Sequence, residues 1–321
     1  MRVLMLLFKD IHYDARVKRE AQALAQAGHE VVIACLKEYD HDPPHLGEGV
    51  TLWRYVLSTK RIKRSVTRGK KTGGDGQAAP SQGALPWLVR LARLPIVKLV
   101  KDIWASVEFG RKVAQSLARY RVDVIHCHDL NTLPQGYWLA RRFKTRLVYD
   151  AHELFNEMAG KNWLERKLGY LVEGWLIKNI DHLIVVNPHV KKWFMRRYGP
   201  MPITVVQNTP ILPDLTQPAP PEIPDLRQRY GLKEEDVLLL YQGGINPERG
   251  LEECLEAVAL LPDRFKLVLI GEGRLKESLM AQVKERGLEG RVFFHPQVPS
   301  EHLLWYTRQA DIGLVMYKGT S

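Results

Sequence analysis

The sequence predicts an α/β protein built as two Rossmann-like domains, the second of them incomplete. Short apolar runs of strand length alternate with helix-length stretches along the chain, the pattern of a mostly parallel sheet covered by helices. A Pro-rich stretch, TPILPDLTQPAPPEIPD from Thr209, interrupts that alternation, because proline ends helices and favours extended chain. With 321 residues and 45% hydrophobic content, the chain has enough apolar surface for a core on each side of it. The expected organisation is a first domain over 1–208, a linker over 209–224 and a second domain over 225–321.

The first domain opens with a βαβ unit. A strand is expected over Val3–Phe8, a helix over Ala15–Ala27 with Asp14 as its N-cap and Gly28 as its stop, and a strand over Val31–Leu36. The opening run VLMLLF is too short for a signal peptide or a membrane span and reads as a buried strand. The loop KDIHYD after it contains no glycine, so the G-x-G-x-x-G dinucleotide fingerprint is absent and a nicotinamide or flavin enzyme is disfavoured. Further buried strands are expected over Val122–Ile125, Arg146–Tyr149, Leu183–Val186 and Ile203–Val206. Beyond the linker the expected strands are 237–242, 266–270, 291–294 and 312–316, and the expected helices are 251–261, 274–286 and 300–308.

The net charge of +11 calls for an anionic partner. Basic residues crowd KRIKRSVTRGKK (60–71), and the Gly-rich TGGDGQAAPSQGA that follows has the composition of a loop. In PWLVRLARLPIVKLVKDIW (86–104), helical spacing puts Arg90, Arg93, Lys98 and Lys101 on one side and Trp87, Leu91, Leu94 and Trp104 largely on the other. That arrangement fits a membrane-surface segment and equally a core helix with a solvated basic face. No zinc spacing, helix-turn-helix signal or aromatic stacking platform accompanies the charge, which disfavours nucleic acid. Cys35, Cys127 and Cys254 stand alone in apolar patterns, as reduced, buried thiols of a cytosolic protein do.

Ligands of open α/β sheets bind outside the carboxyl ends of the strands, so position singles out the candidate site residues. His128 and Asp129 follow one expected strand, and Asp150, His152 and Glu153 follow the next. Satisfied buried histidines and helix-capping carboxylates are the structural alternatives. His126 and His128 flank Cys127 without a third ligand at recognisable spacing, so no metal is expected. In the second half, YQGGINPERGLEECLEA joins a strand to a helix through Gly243 and Gly244. Such a turn admits a ligand close to the backbone, the free amides of the following helix favour an anion, and Arg249 adds a forked cation. Gly271, Glu272 and Gly273 form a second turn of this kind.

These features together resemble the GT-B glycosyltransferases, and in particular their retaining family-four group. RVKREAQALAQAGHEVVIAC is similar to that family's first helix and second strand, VDVIHCHD to its histidine-bearing strand, and VVQNTP to its Asn-Gly before the linker, which singles out Asn208. GGINPERG, IGEGRLKESL and RVFFHPQVPSEHLLWYTRQADIGLV are similar to its donor-domain turns and strands. The resemblance implies sugar transfer with retention from a nucleotide-diphosphate sugar to a hydroxyl acceptor such as a glycolipid or lipopolysaccharide precursor, without a metal or other cofactor. The thiols imply a cytoplasmic protein, and the basic segment one that is peripheral at the inner face of the membrane. His128 and His152 are then the catalytic candidates, Gly243, Gly244, Arg249, Gly271, Glu272 and Gly273 the donor-binding ones, and Asp129, Asp150, Glu153 and Asn208 acceptor or cleft residues between the domains. One departure stands out: Gly244 falls where the family carries its first cation. The family's paired-glutamate motif would follow the strand ADIGLVMYKG, so the resemblance implies truncation and an inactive chain. A nucleotide-sugar 2-epimerase and a non-catalytic membrane-associated scaffold of the same fold are the alternatives.

Overall fold

The computed structural model describes residues 1–38, 45–58, 95–158, 163–209 and 212–316. The basic run 60–71, the Gly-rich stretch after it and the first part of the 86–104 segment lie outside the described residues. The chain divides into two units, Met1–Asn208 and Thr209–Ser321.

In the first unit, β1 (Arg2–Leu7) is apolar on both faces because both are covered. Leu4 and Leu6 join a core with Phe109, Leu133 and Leu176, whereas Val3, Met5 and Leu7 pack with Val17 and Ala21 of α1 (Ala15–Gln26). Around β1 stand β2 (Glu30–Leu36), β3 (Val50–Tyr55), β4 (Val124–His128), β5 (Arg146–Ala151), β6 (His182–Val185) and β7 (Ile203–Val205). Their order is β3-β2-β1-β4-β5-β6-β7, with every neighbouring pair parallel. The order reverses between β1 and β4, and such a reversal opens a crevice at the carboxyl ends of the strands.

Most strands differ from their expected bounds by one to three residues, and the differences in β4 and β5 bear on the site. β4 starts at Val124 and runs through His128, and β5 extends to Ala151, so Asp150 lies within the ladder, paired with His128. Histidine and aspartate read as loop residues in the sequence. Here the strand alternation sends Ile125 and Cys127 into the apolar core and His126 and His128 to the opposite face. The edge strand β3, half-buried along most of its length, was not anticipated because it lacks a continuous apolar run.

Helices α2 (Pro95–Leu117), α3 (Leu133–Phe143), α4 (Trp163–Leu176) and α5 (Pro188–Tyr198) complete the unit. α2 takes in the end of the expected 86–104 segment and continues to Leu117, burying Phe109 and Val113. Cys35 and Cys127 are buried and unpaired, as is Cys254 of the second unit.

The second unit carries α6 (Leu226–Tyr230), β8 (Val237–Gln242), α7 (Leu251–Leu260), β9 (Phe265–Ile270), α8 (Lys276–Glu285), β10 (Val292–His295), α9 (Leu303–Thr307) and β11 (Ile312–Leu314). The sheet order β10-β9-β8-β11 is again all parallel, with its reversal between β8 and β11. α9 and β11 are shorter than the expected 300–308 and 312–316.

One glycine sets how closely α3 lies on the first sheet. A Cβ at Gly136 would stand 2.0 Å from Cys127 Sγ and 3.3 Å from Leu147 Cδ1. Gly136→Ala gains helix propensity yet overpacks this contact, so it is expected to lower stability by about 1–3 kcal/mol in urea denaturation. Unchanged or increased stability would contradict the close packing.

Candidate functional site

The crevice of the first sheet is filled by a charged network centred on Asp150. Its carboxylate is fully buried, and Arg16 of α1 forks onto it, with Nη2 donating to Oδ1 at 2.7 Å and Nε to Oδ2 at 3.3 Å. Three imidazoles face Oδ2: His152 Nε2 at 3.3 Å, His128 Nδ1 at 3.4 Å and His126 Nε2 at 3.7 Å. His128 Nδ1 also lies 3.0 Å from His152 Nε2. Glu20, one turn after Arg16, is 2.9 Å from Arg16 Nε and 3.8 Å from His128 Nδ1. Asp129 adopts a left-handed φ of 63° and accepts the His152 backbone N–H at 3.2 Å, with Oδ2 3.5 Å from His152 Nδ1.

α1 is held in place from its start. Asp14 caps it by accepting from Val17 N at 3.0 Å and pairs with Lys9 at 2.8 Å. Arg16 Nη1 reaches the Val206 carbonyl at 3.2 Å, and Arg19 bonds the Asn208 side chain, so the helix that clamps Asp150 also holds the end of the first unit.

This packing separates the titration of the groups. Burial favours the neutral acid at Asp150, but the three facing imidazoles outweigh it and hold the carboxylate far below its usual range. Burial lowers His128 to about 3, with His126 adding to the effect, so His128 is neutral. Burial also acts against charge on His152, yet its hydrogen bond to Asp150 and the charge of Asp129 prevail and raise its pKa. Burial, reinforced by the Asp150 charge, pushes Glu20 up to about 7. His152 thus faces Asp150 and His128 with Nε2 and Asp129 with Nδ1.

Glu20, His126, His128 and Asp150 place one potential ligand atom each within 4.8 Å of one another. The sequence reading had only the two histidines, because Glu20 comes from another element. Arg16 already engages both carboxylates of this group.

In the second unit the turns after β8 and β9 are laced together by backbone. Gly243 N donates to Ile270 O at 3.0 Å, Ile245 N to Glu272 O at 3.0 Å and Leu275 N to Ile245 O at 3.0 Å. Close approach accounts for two glycines: a Cβ would stand 2.0 Å from Gly243 O at Gly271, and 2.0 Å from Ile245 O at Gly273. Gly243 has φ 154° and is exposed, whereas Gly244 is half-buried. Glu272 pairs with Lys276 at 2.5 Å. Arg249 is half-buried immediately before Gly250, the N-cap of α7, whose first turn carries Glu252 and Glu253. Those carboxylates offset part of the positive end of the helix and leave Arg249 the main cation of the turn.

The structure therefore brings His128, Asp129, Asp150 and His152 together, with Asn208 tied to α1, and places Glu153 exposed at the rim. His128 has no exposed side-chain surface, so it touches His152 and not solvent; His152 keeps 14%. Asp150 caps no helix. Sequence reasoning missed Arg16 and Glu20, although their spacing beside Val17 and Ala21 puts them along the buried stripe of α1.

Residues 13–209 match the family Glycosyl transferase 4-like domain, and residues 222–316 match Glycosyl transferases group 1. The chain belongs to the glycosyl transferase 4-like family, and its fold is that of the GT-B glycosyltransferases. A Bacillus subtilis protein bearing the name glycosyltransferase EpsD is 28% identical over 234 residues, 68% of this chain and 59% of that one. A D-inositol 3-phosphate glycosyltransferase of Nocardia farcinica is 27% identical over 316 residues, 92% of this chain and 62% of its own length. An alpha-monoglucosyldiacylglycerol synthase of Streptococcus pneumoniae is 25% identical over 231 residues, 68% of this chain and 52% of that protein. This chain thus spans between half and two thirds of these relatives. Among solved structures, a sucrose-phosphate synthase from Thermosynechococcus elongatus superposes with a TM-score of 0.67 at 20% identity, covering 98% of this chain and 75% of that one. Anabaena HepE in complex with UDP-glucose gives 0.65 at 15% identity, covering 99% and 74%. Both structural likenesses are of fold.

The network makes a stability prediction. Asp150→Asn keeps the shape but removes the carboxylate shared by the buried Arg16 guanidinium and three imidazoles, leaving Arg16 only Glu20, at an expected cost of about 3–5 kcal/mol in urea denaturation. A loss below about 1 kcal/mol, the range of an exposed pair, would show that the network does not hold the crevice together.

Proposed function

We propose that this chain carries the donor- and acceptor-side residues of a retaining glycosyltransferase that moves a sugar from a nucleotide-diphosphate sugar to a hydroxyl on a glycolipid, lipopolysaccharide precursor or other cell-envelope saccharide. The observation that carries the reading is the pair of family matches in one chain, each laid over a sheet whose strand ends bear polar groups. Support for the donor class comes from the similar fold of HepE, solved with UDP-glucose, and support for a lipid acceptor from the name of the Streptococcus pneumoniae relative. Family membership favours transfer over epimerisation of the donor.

In this reading His152 hydrogen-bonds the transferring sugar. Asp150 and buried His128 orient it at Nε2, which leaves Nδ1, at 3.5 Å from Asp129 the longer contact, for the sugar. Arg249 and the amides of the turn at Gly243 and Gly244 stabilise the departing diphosphate, so the rate comes from electrostatics and positioning. Gly271 and Gly273 contribute by letting the two turns approach, and Glu272 contacts the donor from the second turn. No metal takes part; Arg16 supplies the positive charge in the first unit. The three unpaired, buried cysteines fit a reducing cytoplasm, and no helix among the described residues is long and apolar enough to cross a membrane.

Calorimetry of the intact chain with UDP and GDP tests the reading: binding of either supports it, binding of neither refutes it for this chain, and any transfer or donor hydrolysis from radiolabelled nucleotide sugars overturns the expected inactivity. The diphosphate assignment has its own test. Arg249→Ala is expected to weaken UDP or GDP binding by about 1.5–3 kcal/mol, the value of a charge-assisted contact, while leaving nucleoside binding unchanged. Equal losses for nucleotide and nucleoside in calorimetry would remove Arg249 from the phosphate site.

A further inference from the structure

α4 is built with its faces reversed relative to an ordinary surface helix. Its inner side carries Tyr170 and the buried Glu173, whose carboxylate accepts from Tyr149 at 3.0 Å, Asn156 at 2.9 Å and Tyr198 at 2.7 Å. Gly169 and Gly174 also face inward, where Cβ atoms would meet Asn156 Oδ1 at 2.0 Å and Tyr198 at 3.4 Å. That polar anchor fixes the rotation of the helix. The outer stripe then holds Trp163, Leu164, Leu168, Leu171, Val172 and Trp175, with Trp163 72%, Leu171 65% and Trp175 59% exposed. A soluble surface helix puts its polar residues there.

The face continues over two neighbouring helices. Trp175 stacks edge-on against Tyr137 of α3, with ring centroids 5.0 Å apart. Trp138 of α3 and Val107 of α2 line a groove of about 300 Å³ with Arg111 at its edge. Val100, Ile103 and Trp104 extend the exposed apolar surface along the first half of α2. Among the described residues of these helices, the exposed charges are Lys101, Arg111, Arg141, Arg142 and Lys167 against one carboxylate, Asp102. Outward tryptophans and aliphatics rimmed by cations match the chemistry of an anionic bilayer surface, where apolar side chains enter the acyl boundary and cations meet the headgroups.

We propose that the outer face of α2, α3 and α4 is a membrane-docking surface for anionic lipid, with Trp163, Leu171 and Trp175 of α4 as the inserting side chains. The inference deepens the reading of a membrane-borne acceptor, on which it rests. It extends the apolar part of docking from the 86–104 segment to a helix that the sequence had left without a role.

The test is flotation of the intact chain with vesicles of phosphatidylcholine alone and of phosphatidylcholine with phosphatidylglycerol, at low and high salt. The variants are Trp163→Ser/Leu171→Ser/Trp175→Ser and, separately, a charge-neutralised 60–71 segment. The wild type is expected to bind the anionic vesicles and to be weakened by salt. The α4 variant is expected to lose about tenfold or more in partitioning, given the apolar area removed, while still unfolding cooperatively on heating. The 60–71 variant should retain a salt-resistant fraction, and brominated lipid should quench tryptophan fluorescence in the wild type but not in the α4 variant. Binding that ignores the α4 substitutions and vanishes with the 60–71 charges overturns the proposal. So does α4-dependent self-association without vesicle binding, which assigns the face to a second copy. Nucleotide binding is not read in this assay, so vesicle binding without nucleotide binding would fault the enzymatic reading alone, and nucleotide binding without α4-dependent vesicle binding would fault the docking surface alone.

Discussion

Asp150 is a carboxylate with no access to water, and the first unit is organised around keeping it charged. An isolated buried carboxylate would take up a proton. Here the forked guanidinium of Arg16 and three facing imidazoles make the ionised form the stable one. The same contacts join α1 to β4 and β5 across the point where the strand order reverses. Arg16 also holds the Val206 carbonyl, so the negative charge fixes where the chain leaves the first sheet. Replacing such a network by apolar residues need not cost stability. Its place in the crevice accords with a positioning role for His152, the most exposed of the three imidazoles.

The fold was largely legible in the sequence because its strands are buried on both faces. Runs such as Val31–Leu36 and Val237–Leu240 need no periodicity to be recognised, and Asp14 and Gly28 marked the ends of α1 correctly. Legibility failed where polar residues enter a ladder. His126, His128 and Asp150 looked like loop residues, so β4 and β5 were drawn too short at the ends that bear the site. It failed again at the half-buried edge strand β3.

Strand-end reasoning found His128, Asp129, Asp150 and His152 because each is local to a strand. It missed Arg16, whose partner Asp150 lies 134 residues away in sequence. No local pattern reports such a pairing, although an Arg and a Glu one turn apart beside the buried stripe of a helix marked an unusual interior. In the second unit, Gly271 and Gly273 were read for ligand approach, yet backbone of the facing turn already fills the space their side chains would take. The inverted faces of α4 show the same limit: its apolar periodicity was visible, but which side met the protein depended on Glu173 finding Tyr149, Asn156 and Tyr198.

The central claim, that Asp150 and its neighbours raise the pKa of His152 beside a neutral His128, is open to a direct measurement. A folded-state pKa raised above the unfolded value gives a stabilisation that is complete below the unfolded value and is lost as pH rises through the folded one. NMR titration of the imidazole resonances in the intact chain reads both histidines. The account predicts that His152 titrates above the ordinary value of 6.5, while His128 stays neutral down to about 3. A His152 midpoint at or below 6.5, or a His128 that charges near neutrality, would contradict it.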